Sequence, residues 1–122
     1  MKETGPLASS GETTDLLRKL LRIDSSNPPG RERPVAELLA GVMEAAGLEV
    51  TLTPLAPNRA NVVGRLRGAG GAPALLFSGH LDTVPVDKSQ WRHSPHEGVV
   101  DGDIVHGRGA VDMKGGVAAM VS

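Results

Sequence analysis

One histidine and two aspartates stand on Gly-rich turns. They lie in Ser78-Gly79-His80-Leu81-Asp82-Thr83-Val84-Pro85 and in Gly107-Arg108-Gly109-Ala110-Val111-Asp112-Met113-Lys114-Gly115-Gly116. Imidazole and carboxylate groups are the donors with which a protein holds a hard or borderline divalent cation. The chain has no cysteine, so a thiolate metal site and a disulfide are both excluded. In an extended stretch, residues i and i+2 point the same way, roughly 6–7 Å apart at the backbone. His80 and Asp82 can therefore face one site. A metal-ligating imidazole usually gives its other N–H to a carboxylate, which fixes its tautomer, and Asp82 is placed to take it. Asp112 offers two oxygens and could bridge two cations held roughly 3.5–4 Å apart. Plainer readings stay open at this point: a strand-end histidine with a turn-forming aspartate, and Asp112 as an ordinary helix N-cap.

The elements that must position these residues can be read from periodicity. Thr13 or Thr14 can cap a helix through Leu16, Leu17, Leu20, Leu21 and Ile23, whose spacing makes one apolar stripe. Asn27-Pro28-Pro29-Gly30 ends it. A second helix starts near Arg33 or Pro34, with Val35, Leu38, Leu39, Val42 and Met43 on one face and Gly47 as its C′ residue. Residues 48–55 alternate, with Val50 and Leu52 on one face. Residues 60–66 and 74–77 are two further strand-like runs, and Gly68-Ala69-Gly70-Gly71 reads as the hairpin loop between them. Asp101-Gly102-Asp103 centres another hairpin. Residues from Lys114 onward read as the first turns of a helix. The order is an α/β pattern, with His80 at the C-terminal end of a strand, where open α/β sheets form their ligand sites.

Composition narrows the function. A length of 122 residues suggests one domain. Phe77 and Trp91 are the sole aromatics, so the core must come from Leu, Val and Ala. A formal net charge of −1 gives no field for nucleic acid or an anionic membrane, and neither is expected as a partner. No apolar run is long enough for a signal peptide or a membrane span. A cytoplasmic protein is the expectation, with residues 1–12 a disordered tail.

The two segments together resemble the signature of the zinc-dependent amidohydrolases and exopeptidases. That family includes acetylornithine deacetylase, succinyl-diaminopimelate desuccinylase, aminoacylase and glutamate carboxypeptidase. Its pattern is an S/G-H-x-D-x-V-P strand end, about thirty residues, then G-R-G-x-x-D-x-K-G-G. Trp91 and the Asp-Gly hairpin also fall where the family has them. The resemblance implies that residues 13–122 form the truncated N-terminal portion of a three-layer, zinc-exopeptidase-like catalytic domain with a mainly parallel central sheet. It implies two divalent metal ions per complete site, zinc first, with cobalt or manganese as alternatives. His80 resembles a ligand of one metal, Asp112 the bridging ligand, and Asp82 the catalytic carboxylate that orients His80. A cis peptide at Asp112-Met113 is implied as well. The implied reaction is hydrolysis of an amide in an N-acyl amino acid or small peptide by a metal-activated water, in a protein that can form homodimers.

The chain departs from the family in two respects. Pro95 is followed by His96 where the family has Phe. The general-base Glu, the Glu that follows it and the remaining ligands have no counterpart, because no Glu follows Asp112. The expectation is an N-terminal fragment that is inactive alone, with uncovered apolar faces on both early helices. His93, His96 and His106 are read as surface or packing residues. For Arg108 a buried ion pair is preferred over a substrate carboxylate. Other motifs fail: Gly68–Gly71 lacks the last glycine of a dinucleotide fingerprint, Lys114-Gly115 is no Walker loop, and Ser78 sits in no G-x-S-x-G elbow. The rival reading from another class is a non-catalytic binding or assembly piece.

Overall fold

The structure is a computed structural model and describes residues 10–122. Helix α1 (Ser10–Leu21) and helix α2 (Arg33–Ala45) come first, followed by strands β1 (Glu49–Ala56) and β2 (Arg59–Arg65). Short strands β3 (Val99–Asp101) and β4 (Ile104–His106) precede a kinked turn over residues 110–114 and helix α3 (Gly115–Val121). Helix α1 begins at Ser10, so Ser10–Glu12 belong to a helix rather than to the expected tail. Residues 1–9 lie outside the described residues.

The helical periodicities place the core. Leu16, Leu20, Val35, Leu39, Met43, Val117 and Ala118 form one buried cluster joining α1, α2 and α3. The apolar faces of both early helices are thus covered, contrary to the expectation, because α3 and the β1–β2 hairpin supply the missing surface. Gly47 ends α2 at φ +83, its N–H donating to the Glu44 carbonyl at 2.9 Å, the C′ role read from the sequence. Strand β1 pairs antiparallel with β2, from Glu49↔Arg65 to Ala56↔Arg59. Val50, Leu52 and Val62 turn toward α2, while Thr51 and Thr53 face water.

No parallel sheet forms among the described residues, which hold two separate two-stranded antiparallel sheets. Residues 74–77 have no strand partner, and Leu75, Leu76 and Phe77 are 81%, 82% and 64% exposed. An extended apolar run becomes a strand only when a neighbour takes its N–H and C=O groups. The hairpin bend lies at Pro57-Asn58, between β1 and β2, and not at Gly68–Gly71. The parallel contact that does form is the isolated bridge Ser26↔Thr83. Among the described residues no helix is long and apolar enough to cross a membrane.

Candidate metal centre

The segment carrying His80 and Asp82 is stitched to the loop after α1. Thr83 N–H donates to the Ser25 carbonyl at 3.1 Å, and Asn27 N–H to the Thr83 carbonyl at 2.9 Å. Ser25 Oγ donates to the Leu81 carbonyl at 2.7 Å. These bonds hold the backbone on both sides of Asp82, although no sheet does. The Asn27 side chain completes the fit, its Nδ2 donating to Asp82 Oδ2 at 2.9 Å. Sequence reasoning had assigned Asn27-Pro28-Pro29-Gly30 only to the end of a helix. Both X-Pro bonds there are cis, which brings no pattern of its own to the sequence.

Asp112 arrives on a different support. Gly109 adopts φ +86, and a Cβ there would lie 2.6 Å from Thr83 Cγ2, so this contact requires glycine. Lys114 is 1% exposed. Its Nζ donates to the carbonyls of Leu20 at 2.9 Å and Ile23 at 2.7 Å, capping the end of α1. Burial pulls its ammonium down to about 8, opposed by the charge of Asp24. With both flanks fixed, the chain kinks at Asp112 (φ −126, ψ 95) and Met113 (φ −136, ψ 29). The Asp112-Met113 peptide is cis, as the resemblance implied. Asp112 is not an N-cap, since α3 starts beyond Lys114.

The three residues meet. His80 Nδ1 lies 3.1 Å from Asp82 Oδ1, and His80 Nε2 lies 2.8 Å from Asp112 Oδ1. An imidazole between two carboxylates is favoured as the cation. The hydrogen bond to Asp112 raises the His80 pKa above its ordinary value, with burial opposing. The bond from Asn27 lowers that of Asp82, again against burial. A cleft of about 100 Å³ opens here, lined by Asn27, His80, Asp82, Thr83, Val84 and Asp112. The donor set fits a divalent cation. His80 Nε2 and Asp112 Oδ1 are within hydrogen-bond distance, both groups border an open cleft, and the Asp112 side chain is 81% exposed. Asp82 then keeps the second imidazole nitrogen.

The remaining candidates sit elsewhere. Arg108 makes no ion pair among the described residues. It lies over the Trp91 ring, 5.2 Å from the centroid, and its Nε is buried without a hydrogen-bond partner. The preferred ion pair is absent because no carboxylate reaches it, and the indole face takes the guanidinium instead. His96 is 14% exposed and 3.8 Å from Asp24, a packing position. His93 and His106 stack at 4.4 Å between ring centroids.

Residues 76–122, the segment that holds all three site residues, match the sequence profile of peptidase family M20/M25/M40. Among curated relatives, the succinyl-diaminopimelate desuccinylase of Methylobacterium sp. (strain 4-46) is 43% identical over 112 residues. That alignment takes in 88% of this chain and 27% of the relative. The enzyme of the same name from Gluconobacter oxydans (strain 621H) is 43% identical over 110 residues, covering 88% of this chain and 28% of the relative. That from Methylorubrum extorquens (strain PA1) is 36% identical over 127 aligned positions, covering 100% and 30%. The chain therefore spans between a quarter and a third of the length of the curated relatives it matches.

Proposed function

We propose that this chain is the N-terminal part of a metal-dependent amidohydrolase that removes the acyl group from an N-acyl amino acid, with an N-succinyl amino acid as the first substrate to test. The observation that carries this reading is His80 held between Asp82 and Asp112 on an open cleft. In the proposal His80 Nε2 and Asp112 would hold divalent cations, zinc first, with cobalt or manganese as alternatives. Bound cations supply Lewis acidity toward an amide carbonyl and a water. Asp82, itself fixed by Asn27, holds the proton on His80 Nδ1 and so keeps Nε2 free as a donor. The general base and the further ligands are expected from outside residues 1–122, as is the rest of a mainly parallel sheet with which residues 74–77 would pair. A cytoplasmic homodimer is part of the same reading.

The test is zinc binding followed by ¹⁵N chemical shifts of the imidazoles. The His80 Nε2 resonance is expected to move on zinc addition and to stay fixed in Asp112→Ala. No turnover of N-succinyl-diaminopimelate is expected from residues 1–122, because a missing general base alone removes about 10²–10⁴-fold. A His80 signal indifferent to zinc would sink the metal assignment. Turnover abolished by His80→Ala would overturn the need for a base from elsewhere. A second reading, a non-catalytic binding or assembly piece, is favoured by the exposure of residues 75–77. It predicts a stable complex in which zinc changes nothing.

A further inference from the structure

The β3–β4 hairpin carries a second set of metal donors that shares no residue with the cleft at His80. Its turn, Gly102-Asp103, has Gly102 at φ +59. The ladder pairs Val99 with His106 and Asp101 with Ile104. Side chains two apart along a strand leave the same face, and directly paired residues share a face. Asp101 and His106 are therefore diagonal neighbours on one side of the hairpin. His93, from the loop after the short 3₁₀ turn Lys88–Gln90, lies over that side. Its ring stacks on His106, with 4.4 Å between centroids, and its Nε2 is 3.9 Å from Asp101 Oδ2. One ligand atom from each of the three lies within 4.8 Å of the other two.

A separate observation points the same way. His93 Nε2 is buried and has no hydrogen-bond partner, although it faces a carboxylate and an imidazole. A buried polar nitrogen left unpaired is costly, and a cation shared with Asp101 and His106 would satisfy it. From these observations we infer that His93, Asp101 and His106 form a second site for a divalent transition-metal ion of the zinc class. Two imidazoles and one carboxylate select a borderline metal over calcium or magnesium, which take oxygen donors. Three protein ligands leave one position of a tetrahedral zinc for water. Bond lengths of about 2.0–2.2 Å require ligand atoms roughly 3.4 Å apart, so closure asks for movements on the order of 1 Å. The Asp101 side chain, 62% exposed, has room to make them.

Occupancy would tie the loop at His93 to the hairpin. Arg108 N–H donates to the Pro95 carbonyl at 2.8 Å, so the same loop braces the Gly107-Arg108-Gly109 turn that leads to Asp112. The site is thus a structural clamp behind the catalytic candidate, and its existence does not depend on the reading of His80.

The experiment is a zinc titration of the whole chain carrying both His80→Ala and Asp112→Ala, with calorimetry and imidazole ¹⁵N shifts recorded together. Binding of one zinc per chain is expected, with the His93 and His106 resonances moving. Adding Asp101→Asn, at the exposed end of β3 outside the core, should weaken that binding about tenfold or more. Loss of a mere supporting partner of a ligand already costs 10–100-fold. Far-UV circular dichroism reports whether each variant is folded. The proposal is overturned if the double variant binds no zinc, if the His93 and His106 signals stay still while zinc binds, or if Asp101→Asn leaves the affinity unchanged. In the chain with His80 intact, a His80 shift abolished by Asp112→Ala while the His93 shift persists separates this site from the first.

Discussion

At the scale of single residues, the neighbour of a neighbour decides the chemistry. Asn27 bonds to Asp82 and not to the imidazole itself, yet it holds the carboxylate that holds the imidazole. Asn27→Ala is expected to lower zinc affinity at His80 about 10-fold or more while leaving the fold intact, measured by calorimetry on the Asp101→Asn background. His96 carries a second expectation. Burial lowers its pKa below the ordinary 6.5, with Asp24 opposing, so the unfolded chain binds the proton first. The stability associated with neutral His96 is therefore complete above pH 6.5 and is lost as pH falls below it, through the lowered folded pKa. His80, with a raised pKa, acts in the opposite direction. Urea midpoints of wild type and His96→Gln, compared across pH 7.5–5, isolate the term: the variant should lose less stability than wild type on acidification. His80, Asp82 and Asp112 were legible because their types and spacing are local in sequence. Asn27 and His93 were not, since each reaches its partners from a loop whose path no periodicity encodes; the hairpin that carries Asp101 and His106 was legible, its third member was not.

At the scale of elements, helices are self-sufficient in a way strands are not. The 3.6-residue stripes of Leu16, Leu20, Val35 and Leu39 announce α1 and α2 because each helix satisfies its own backbone. Residues 74–77 have the composition of a strand, but strand formation is a property of two segments and the partner is missing among the described residues. The turn that presents Asp112 depends on two devices. Lys114→Met would take its donor from the Ile23 carbonyl and one of two donors from the Leu20 carbonyl, which keeps the Ile23 N–H at 3.2 Å. A loss of about 1–3 kcal/mol is expected from urea denaturation. Gly109→Ala would force a methyl group against Thr83 at φ +86. It should destabilise the fold by roughly 1–2 kcal/mol for the left-handed backbone alone and weaken zinc binding at Asp112. An unchanged unfolding midpoint in either variant would contradict these roles.

At the scale of the whole molecule, one run of consecutive apolar residues is left uncovered. Leu75, Leu76 and Phe77 stand out at 81%, 82% and 64%, with Leu66 at 76% just before them in sequence. Contiguous apolar exposure drives association, and an unpaired extended segment adds free backbone groups to it. The chain is expected to self-associate at micromolar concentration. Leu76→Lys with Phe77→Lys should shift it toward monomer, read by light scattering, without loss of helical circular dichroism, because neither side chain enters the core. A wild-type chain that stays monomeric would remove this claim.

The Lys114 cap joins atoms that are 94 and 91 positions apart along the chain. A nascent polypeptide grows at about 5–20 residues per second. The end of α1 therefore waits on the order of 5–20 seconds for the residue that caps it. Val117 and Ala118, which close the core against Leu16 and Leu20, arrive later still. Until then α1 and α2 can pair only with each other and with the β1–β2 hairpin. Within residues 10–122 the two early helices thus wait longest for their partners, and the turn that carries Asp112 is made after both.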